Sequence, residues 1–325
     1  MRSIWLLSFL LAVVVLATPG QAQGPQFEDL TPQFDYDAKV PLEVQQVGQE
    51  RRGAVTVIDL TYSSPRGGRV PAYLVVPPGR GPFAAILFGH WMMEGSPLKN
   101  RGEFLEEAVV LARSGAVSLL IDAPYVRPGF EKEKDELRLA TQSAEVSRQQ
   151  LIDFRRGIDL LTARPDIDPK RIAYIGHSFD AHVGGILSGV EKRIGSFVLM
   201  AGGFADEEYV FDRENAEMRK LRERIGENQI RDYFRMYAWD DPIHFVGHSR
   251  PAAVLLQFGR QDKAITEKMA RRYYELFAEP KQIGFYDSGH ALDAEARRDR
   301  TQWLVKRLSL KPIDKAALAR IPELK

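Results

Sequence analysis

Residues 176–180 read Gly176-His177-Ser178-Phe179-Asp180. Four of the five fit G-x-S-x-G, a turn between a strand and a helix that exposes a serine hydroxyl. The context is right: the strand-like run Ile172–Ile175 precedes Ser178 and a helical pattern follows it. The start of such a helix offers free N–H groups and the positive end of its dipole. A serine hydroxyl is a poor nucleophile near neutral pH. It needs a base within hydrogen-bond reach, and the base needs an acid to fix its tautomer. Asp262 in QFGRQDKAI follows the apolar run ending at Phe258, and His290 in YDSGHALD follows the run ending at Tyr286. Each is a polar group at the C-terminal end of a predicted strand. The order Ser178, Asp262, His290 suits nucleophile, orienting acid and base. The acidic run Asp206-Glu207-Glu208 is an alternative place for the acid, in a poorer context.

Acyl transfer through such a serine needs donors for the developing oxyanion. The N–H of Phe179, directly after the nucleophile, is one. The loop after AAILF, Gly89-His90-Trp91-Met92-Met93-Glu94-Gly95, should supply the other, with Met92 favoured and Trp91 next. Each donor is worth about 3–4 kcal/mol of barrier. His90 is expected to order this loop, His177 to pack, and His182 to pack or to pair with Asp180. Glu94 is expected to be solvated or structural. Asp122 and Tyr125 in IDAPYVRPG follow another strand run and are candidates for lining the cleft. No pair among the six histidines has H-E-x-x-H or another tight ligand spacing, so neither a metal nor another cofactor is expected.

These residues must be held by a scaffold. Short apolar runs without alternation occur at 84–88, 117–121, 172–175, 197–200, 253–258 and 283–286. Such runs suit strands buried on both faces of a parallel sheet. Helical patterns separate them at about 103–113, 144–163, 179–188, 266–277 and 293–308. Alternating strand and helix means α/β architecture with a mostly parallel sheet. The segments VTVIDLTY and VPAYLVV, joined by a Pro-Arg-Gly-Gly turn, precede it as an antiparallel pair. About fifty residues separate the runs at 197–200 and 253–258, far more than an ordinary crossover. Their charged, helical pattern reads as an insertion at about 203–251, over the strand ends where ligands bind in open α/β sheets. A surface excursion away from the site is the alternative.

The chain has 325 residues, 44% of them hydrophobic, which is enough for one large core. Net charge is +1, so neither nucleic acid nor an anionic membrane is an expected partner. With no cysteine, disulfides and thiolate chemistry are excluded. The N-terminus has Arg2, an apolar run from Ile4 to Ala17, and small residues Gly20 and Ala22. That is the build of a secretory signal peptide cut after Ala22. Its apolar run of about 14 residues is short of the roughly 20 a membrane span needs. The expected organisation is a signal peptide at 1–22, an extended arm at 23–52, a catalytic domain at 53–310 and a tail at 311–325. The mature chain would be secreted or periplasmic, with no membrane association. Its oligomeric state is open.

From about Thr56 to Leu308 the chain resembles the α/β-hydrolase superfamily. The stretches DFRRGIDLLTARPDIDPKRIAYIGHSFDA, FGRQDKAI and SGHALDAEARRDRTQWL resemble secreted esterases of the dienelactone-hydrolase-like and acetyl-xylan-esterase-like groups. The resemblance implies a carboxylic-ester hydrolase acting on a small-molecule ester through an acyl-enzyme on Ser178, with His290 and Asp262. A peptidase or amide hydrolase on the same three residues is the alternative, although such relatives usually carry a further large domain. Asp180 departs from the pattern. A carboxylate in the first helical turn gains about 0.3–1 kcal/mol. At about 6 Å from an oxyanion, with an effective dielectric near 20, it costs roughly 3 kcal/mol. Catalysis survives where the side chain points away or is neutralised by a cation or a proton. Asp180 therefore either turns away and pairs with an Arg or His, or reads cationic or hydroxyl-rich substrates. A third reading is a non-catalytic ligand-binding relative.

Overall fold

The computed structural model describes residues 25–92, 100–203 and 205–323. The signal-peptide segment, Met93, Glu94 and Gly95 lie outside the described residues. Nine strands form one sheet: β1 (Gln45–Arg52), β2 (Val55–Ser63), β3 (Arg69–Val76), β4 (Phe83–Gly89), β5 (Ala116–Ile121), β6 (Ile167–His177), β7 (Ser196–Met200), β8 (Ala253–Gly259) and β9 (Lys281–Tyr286). Their spatial order is β1-β2-β3-β5-β4-β6-β7-β8-β9. The first three pair antiparallel, and β3 meets β5 antiparallel. All pairs from β5 to β9 are parallel. Every residue of β4, β5, β7 and β8 is buried, which explains their unbroken apolar runs.

Eleven α-helices are described: α1 (Phe27–Leu30), α2 (Leu105–Arg113), α3 (Glu136–Thr162), α4 (Phe179–Val190), α5 (Asp206–Val210), α6 (Ala216–Ile225), α7 (Glu227–Met236), α8 (Ile243–Val246), α9 (Glu267–Leu276), α10 (Ala294–Leu308) and α11 (Lys315–Ala319). One face of the sheet packs on α3, α4, α8 and α9 through Phe154, Ile186, Phe245 and Tyr273. The other packs on α2 and α10 through Ala108, Leu111 and Leu304. A buried ion pair, Arg300 with Glu107, ties α10 to α2. Helix α4 (FDAHVGGILSGV) is small and apolar nearly all round, as a helix enclosed in a core should be. Asp293 caps α10 by accepting the Ala296 N–H at 2.9 Å.

Three sequence expectations change. The segment 23–52 is not an extended arm throughout. Residues 27–34 turn helically and bury Leu30 and Phe34, and 45–52 form edge strand β1. The tail contains α11, whose Leu318 is buried. Helix α3 starts two turns earlier than its apolar pattern, capped by Asp135 through the Arg138 N–H. The segment between β7 and β8 is helical, as expected, and carries α5 to α8.

Candidate active site

Ser178 stands between β6 and α4 with φ 53° and ψ −109°. A non-glycine residue there is strained by about 1–3 kcal/mol and needs its surroundings to hold it. The Ser178 N–H donates to the Met200 carbonyl at 2.8 Å, and its own carbonyl accepts from Ala181 and His182. Gly202 lets β7 come this close: a Cβ there would lie 2.1 Å from the Ser178 carbonyl oxygen.

The three residues expected to meet do meet. Ser178 Oγ lies 2.8 Å from His290 Nε2, and His290 Nδ1 lies 2.8 Å from Asp262 Oδ2. With Nδ1–H donating to Asp262, Nε2 is left to accept the serine proton. Asp262 Oδ1 accepts the N–H groups of Ala264 and Ile265. Burial works against the Asp262 anion. The hydrogen bond and charge of His290, with those two N–H groups, outweigh it and hold the carboxyl below its ordinary value. The alternative acid run does not serve His290: Asp206 faces His182 at 3.9 Å.

Phe179 opens α4, so the helix has no use for its N–H. Trp91 does not fit the donor role: its N–H is spent on Glu103 Oε2 at 2.7 Å. Met92, half-exposed beyond it, remains the loop candidate. His90 orders this loop. Its Nδ1–H donates to the Trp91 carbonyl at 2.9 Å, and its Nε2 accepts from the Ala123 N–H at 3.0 Å. Burial lowers its pKa to about 4, so the ring stays neutral.

Glu103 and His177 are more than packing. The His177 ring lies between the Trp91 ring, 4.9 Å away, and the His290 ring, 5.7 Å away. Its Nε2–H donates to the His290 carbonyl at 2.9 Å, and its Nδ1 lies 2.5 Å from Glu103 Oε1. Both side chains are fully buried. Sequence reasoning missed Glu103 altogether, treating it as the opening residue of a helix.

Asp180 is also fully buried, but it pairs with neither an Arg nor a His. Its Oδ2 accepts from Gln150 Nε2 at 3.1 Å, and Oδ1 has no partner among the described residues. Burial pushes its carboxyl well above the ordinary range, against the lowering effect of Gln150 and the His90 N–H. Burial thus favours the protonated form of this side chain. Its space comes from β4: a Cβ on Gly89 would lie 2.5 Å from the Asp180 Cβ. The glycine missing from the motif has its counterpart across the contact. Asp180 lines neither the pocket at Ser178 nor the one beside it, so it is not the substrate-reading group considered above.

His182 does not pair with Asp180 either. Its Nε2–H donates to the Asp240 carbonyl at 2.8 Å. Burial alone would lower its pKa, but Asp240, Asp206 and Asp241 reverse this and raise it to about 9. Asp122 is structural: it accepts the Arg101 N–H at 2.9 Å and pairs with that guanidinium. Tyr125 does reach the cleft, where it packs edge-on against Phe179 at 5.2 Å.

One cavity opens at Ser178 and a second adjoins it across Phe179. The first, about 370 Å³, is lined by Ser178, His290, His182, Asp206, Tyr233 and Asp240 among others. The second, about 210 Å³, is lined by Met92, Tyr125, Phe130, Leu139, Val146 and Phe179, with Lys132 at its edge. Phe179 and Ser143 border both. Asp206, Tyr233 and Asp240 come from the segment between β7 and β8, so this segment covers the site rather than straying from it.

No protein-family model matches the chain, and no curated protein does. Solved structures do. An acetyl xylan esterase from a Thermoanaerobacterium species superposes with a TM-score of 0.71 at 15% identity, over 87% of this chain and 94% of that one. An acetyl xylan esterase from a Paenibacillus species gives 0.67 at 18% identity, over 87% and 92%. A cold-adapted esterase from an Arctic intertidal metagenomic library gives 0.57 at 16%, over 80% and 97%. The strand order, the turn between β6 and α4, and these likenesses together establish that the chain has the α/β-hydrolase fold.

Proposed function

We propose that the chain is a serine hydrolase that cleaves carboxylic esters through an acyl-enzyme. The observation that carries this is the continuous hydrogen-bond path from Ser178 through His290 to Asp262, starting from a strained serine at a helix N-terminus. His290 Nε2 takes the Ser178 proton as Oγ attacks the ester carbonyl carbon. Asp262 stabilises the imidazolium that forms. The Phe179 and Met92 N–H groups hold the tetrahedral oxyanion, at about 3–4 kcal/mol each. His290 then returns its proton to the leaving alcohol, and the acyl group stays on Ser178. Water, deprotonated by His290, repeats the sequence and releases the acid. No metal or other cofactor enters these steps.

Burial favours the protonated form of Asp180, which supports an active site rather than a disabled one because it weakens the repulsion an anion would exert on the oxyanion. The two neighbouring cavities suit the two ends of an ester, the one at Ser178 carrying His182, Asp206 and Asp240 and the other mostly apolar. The names of the structural neighbours support esters over amides. Export rests on the sequence of residues 1–22. Among the described residues no helix is long and apolar enough to cross a membrane.

Hydrolysis of p-nitrophenyl acetate by the chain, beside Ser178→Ala, tests the reading. Activity lost in the variant, together with fluorophosphonate labelling of the wild type alone, is the expected result. An unlabelled Ser178 and equal rates in both would refute it.

A further inference from the structure

We infer that Glu103 is a positioning residue that sets the oxyanion loop and the base histidine in one frame; the inference rests on the proposed serine hydrolase. Each carboxylate oxygen serves one side of the site. Oε2 accepts the Trp91 N–H, which fixes the His90–Trp91 peptide one unit before the Met92 N–H. Oε1 holds His177 Nδ1 at 2.5 Å, and His177 Nε2–H holds the His290 carbonyl at 2.9 Å. The stacked Trp91, His177 and His290 rings follow the same path. Two catalytic parts that lie 198 positions apart in the chain, at 92 and 290, thus share one buried carboxylate.

The hydrogen-bond count says what this group must do. Its Nε2 partner is a carbonyl, so His177 must keep a proton on Nε2. Its Nδ1 faces a carboxylate oxygen, so one further proton is shared between Nδ1 and Oε1. A glutamine in place of Glu103 would satisfy the same contacts. Its carbonyl accepts from Trp91, and its NH2 donates to an unprotonated Nδ1 while Nε2–H is retained. The role is a tether, met by shape and hydrogen-bond direction, and glutamine should restore it where alanine cannot.

The test compares wild type, Glu103→Ala, Glu103→Gln and Glu107→Ala in the full chain, with p-nitrophenyl acetate as substrate. Glu107 is the fold control: it lies on α2, just after Glu103, and its loss breaks the buried pair with Arg300 of α10. Folding is followed by circular dichroism at a temperature where each variant is native. Glu103→Ala should lower kcat roughly 100-fold with KM within about threefold, the loss expected of a misaligned oxyanion donor. Glu103→Gln should stay within about fivefold of wild type, and Glu107→Ala within about twofold. Hydrogen exchange gives a readout independent of activity. Glu103→Ala should speed exchange both at 88–92 and at 286–292, whereas Glu107→Ala should not. A folded Glu103→Ala with wild-type kcat, a Glu103→Gln as slow as Glu103→Ala, or faster exchange in only one of the two segments would overturn the inference. An inert wild type would instead count against the esterase, and the exchange data would still decide the tether.

Discussion

Asp180→Asn isolates the cost of keeping a buried carboxyl protonated. In the unfolded chain an Asp titrates near pH 3.9. In the fold burial raises Asp180 well above that value. The sign follows from linkage. A raised acid leaves stability intact below the unfolded pKa, and stability falls as pH rises toward the folded one. Each pH unit in that window costs about 1.4 kcal/mol. The penalty grows with pH above the unfolded value for as long as Asp180 keeps its proton. Asparagine carries no such penalty. It keeps an acceptor for Gln150 Nε2 and puts its NH2 where Asp180 Oδ1 has no partner. The difference in unfolding free energy between D180N and wild type should therefore widen in favour of D180N as pH rises above about 4, by up to about 1.4 kcal/mol per pH unit. Urea titration followed by tryptophan fluorescence at several pH values measures it. Because burial favours the neutral form of the native side chain, kcat should change by less than about threefold, under 1 kcal/mol. A difference that stays flat with pH, or a kcat that rises 100-fold in D180N, would show that Asp180 is ionised in the fold and refute the reasoning.

Other consequences are open to measurement. In Asp262→Asn, the amide oxygen should stay on the Ala264 and Ile265 N–H groups and turn the NH2 toward His290 Nδ1. That forces the proton onto Nε2, the wrong tautomer, and kcat should fall about 10⁴-fold in steady-state assays. His182 should remain protonated through pH 8, with an NMR titration midpoint near 9; a midpoint below 7 would contradict its ring of carboxylates. Gly89→Ala should destabilise by at least about 1–3 kcal/mol through overpacking against Asp180. Adding Asp180→Gly should recover part of that loss, so the double variant should be measurably less destabilised than the two single changes predict. Strict additivity in urea unfolding would deny the contact its importance.

The three clustered residues were legible because each follows a short apolar run, fully buried in β8, buried over the second half of β6, and only partly buried in edge strand β9. Ser178, Asp262 and His290 could be placed at strand ends before any contact was known. Edge strand β1 was not legible, since QQVGQERR faces solvent and has no hydrophobic pattern to betray it. The first two turns of α3 were missed for the same reason. Glu103 escaped because its partners, Trp91 and His177, are 12 and 74 positions away, and no local spacing signals a buried carboxylate. The surroundings of Asp180 were misjudged on a reasonable premise, that a buried charge finds a cation. Burial instead disfavours the charge, while a glutamine from α3 supplies a hydrogen bond and a glycine from β4 supplies the space. Trp91 was a plausible donor by position, and only the geometry revealed that its N–H was already engaged.

The groups that would perform the reaction and the groups that would choose the substrate arrive by different routes. Ser178, Asp262 and His290 are anchored at the rims of β6, β8 and β9, whose neighbours are fixed by the whole sheet. Asp206, Tyr233 and Asp240 hang from a helical excursion that contributes no strand to that sheet. Lineages sharing this scaffold can rewrite the excursion, in length as well as in residues, and inherit the reaction unchanged. Divergence should then appear as turnover of the roof over a conserved floor, with new preferences acquired by exchanging one segment between β7 and β8.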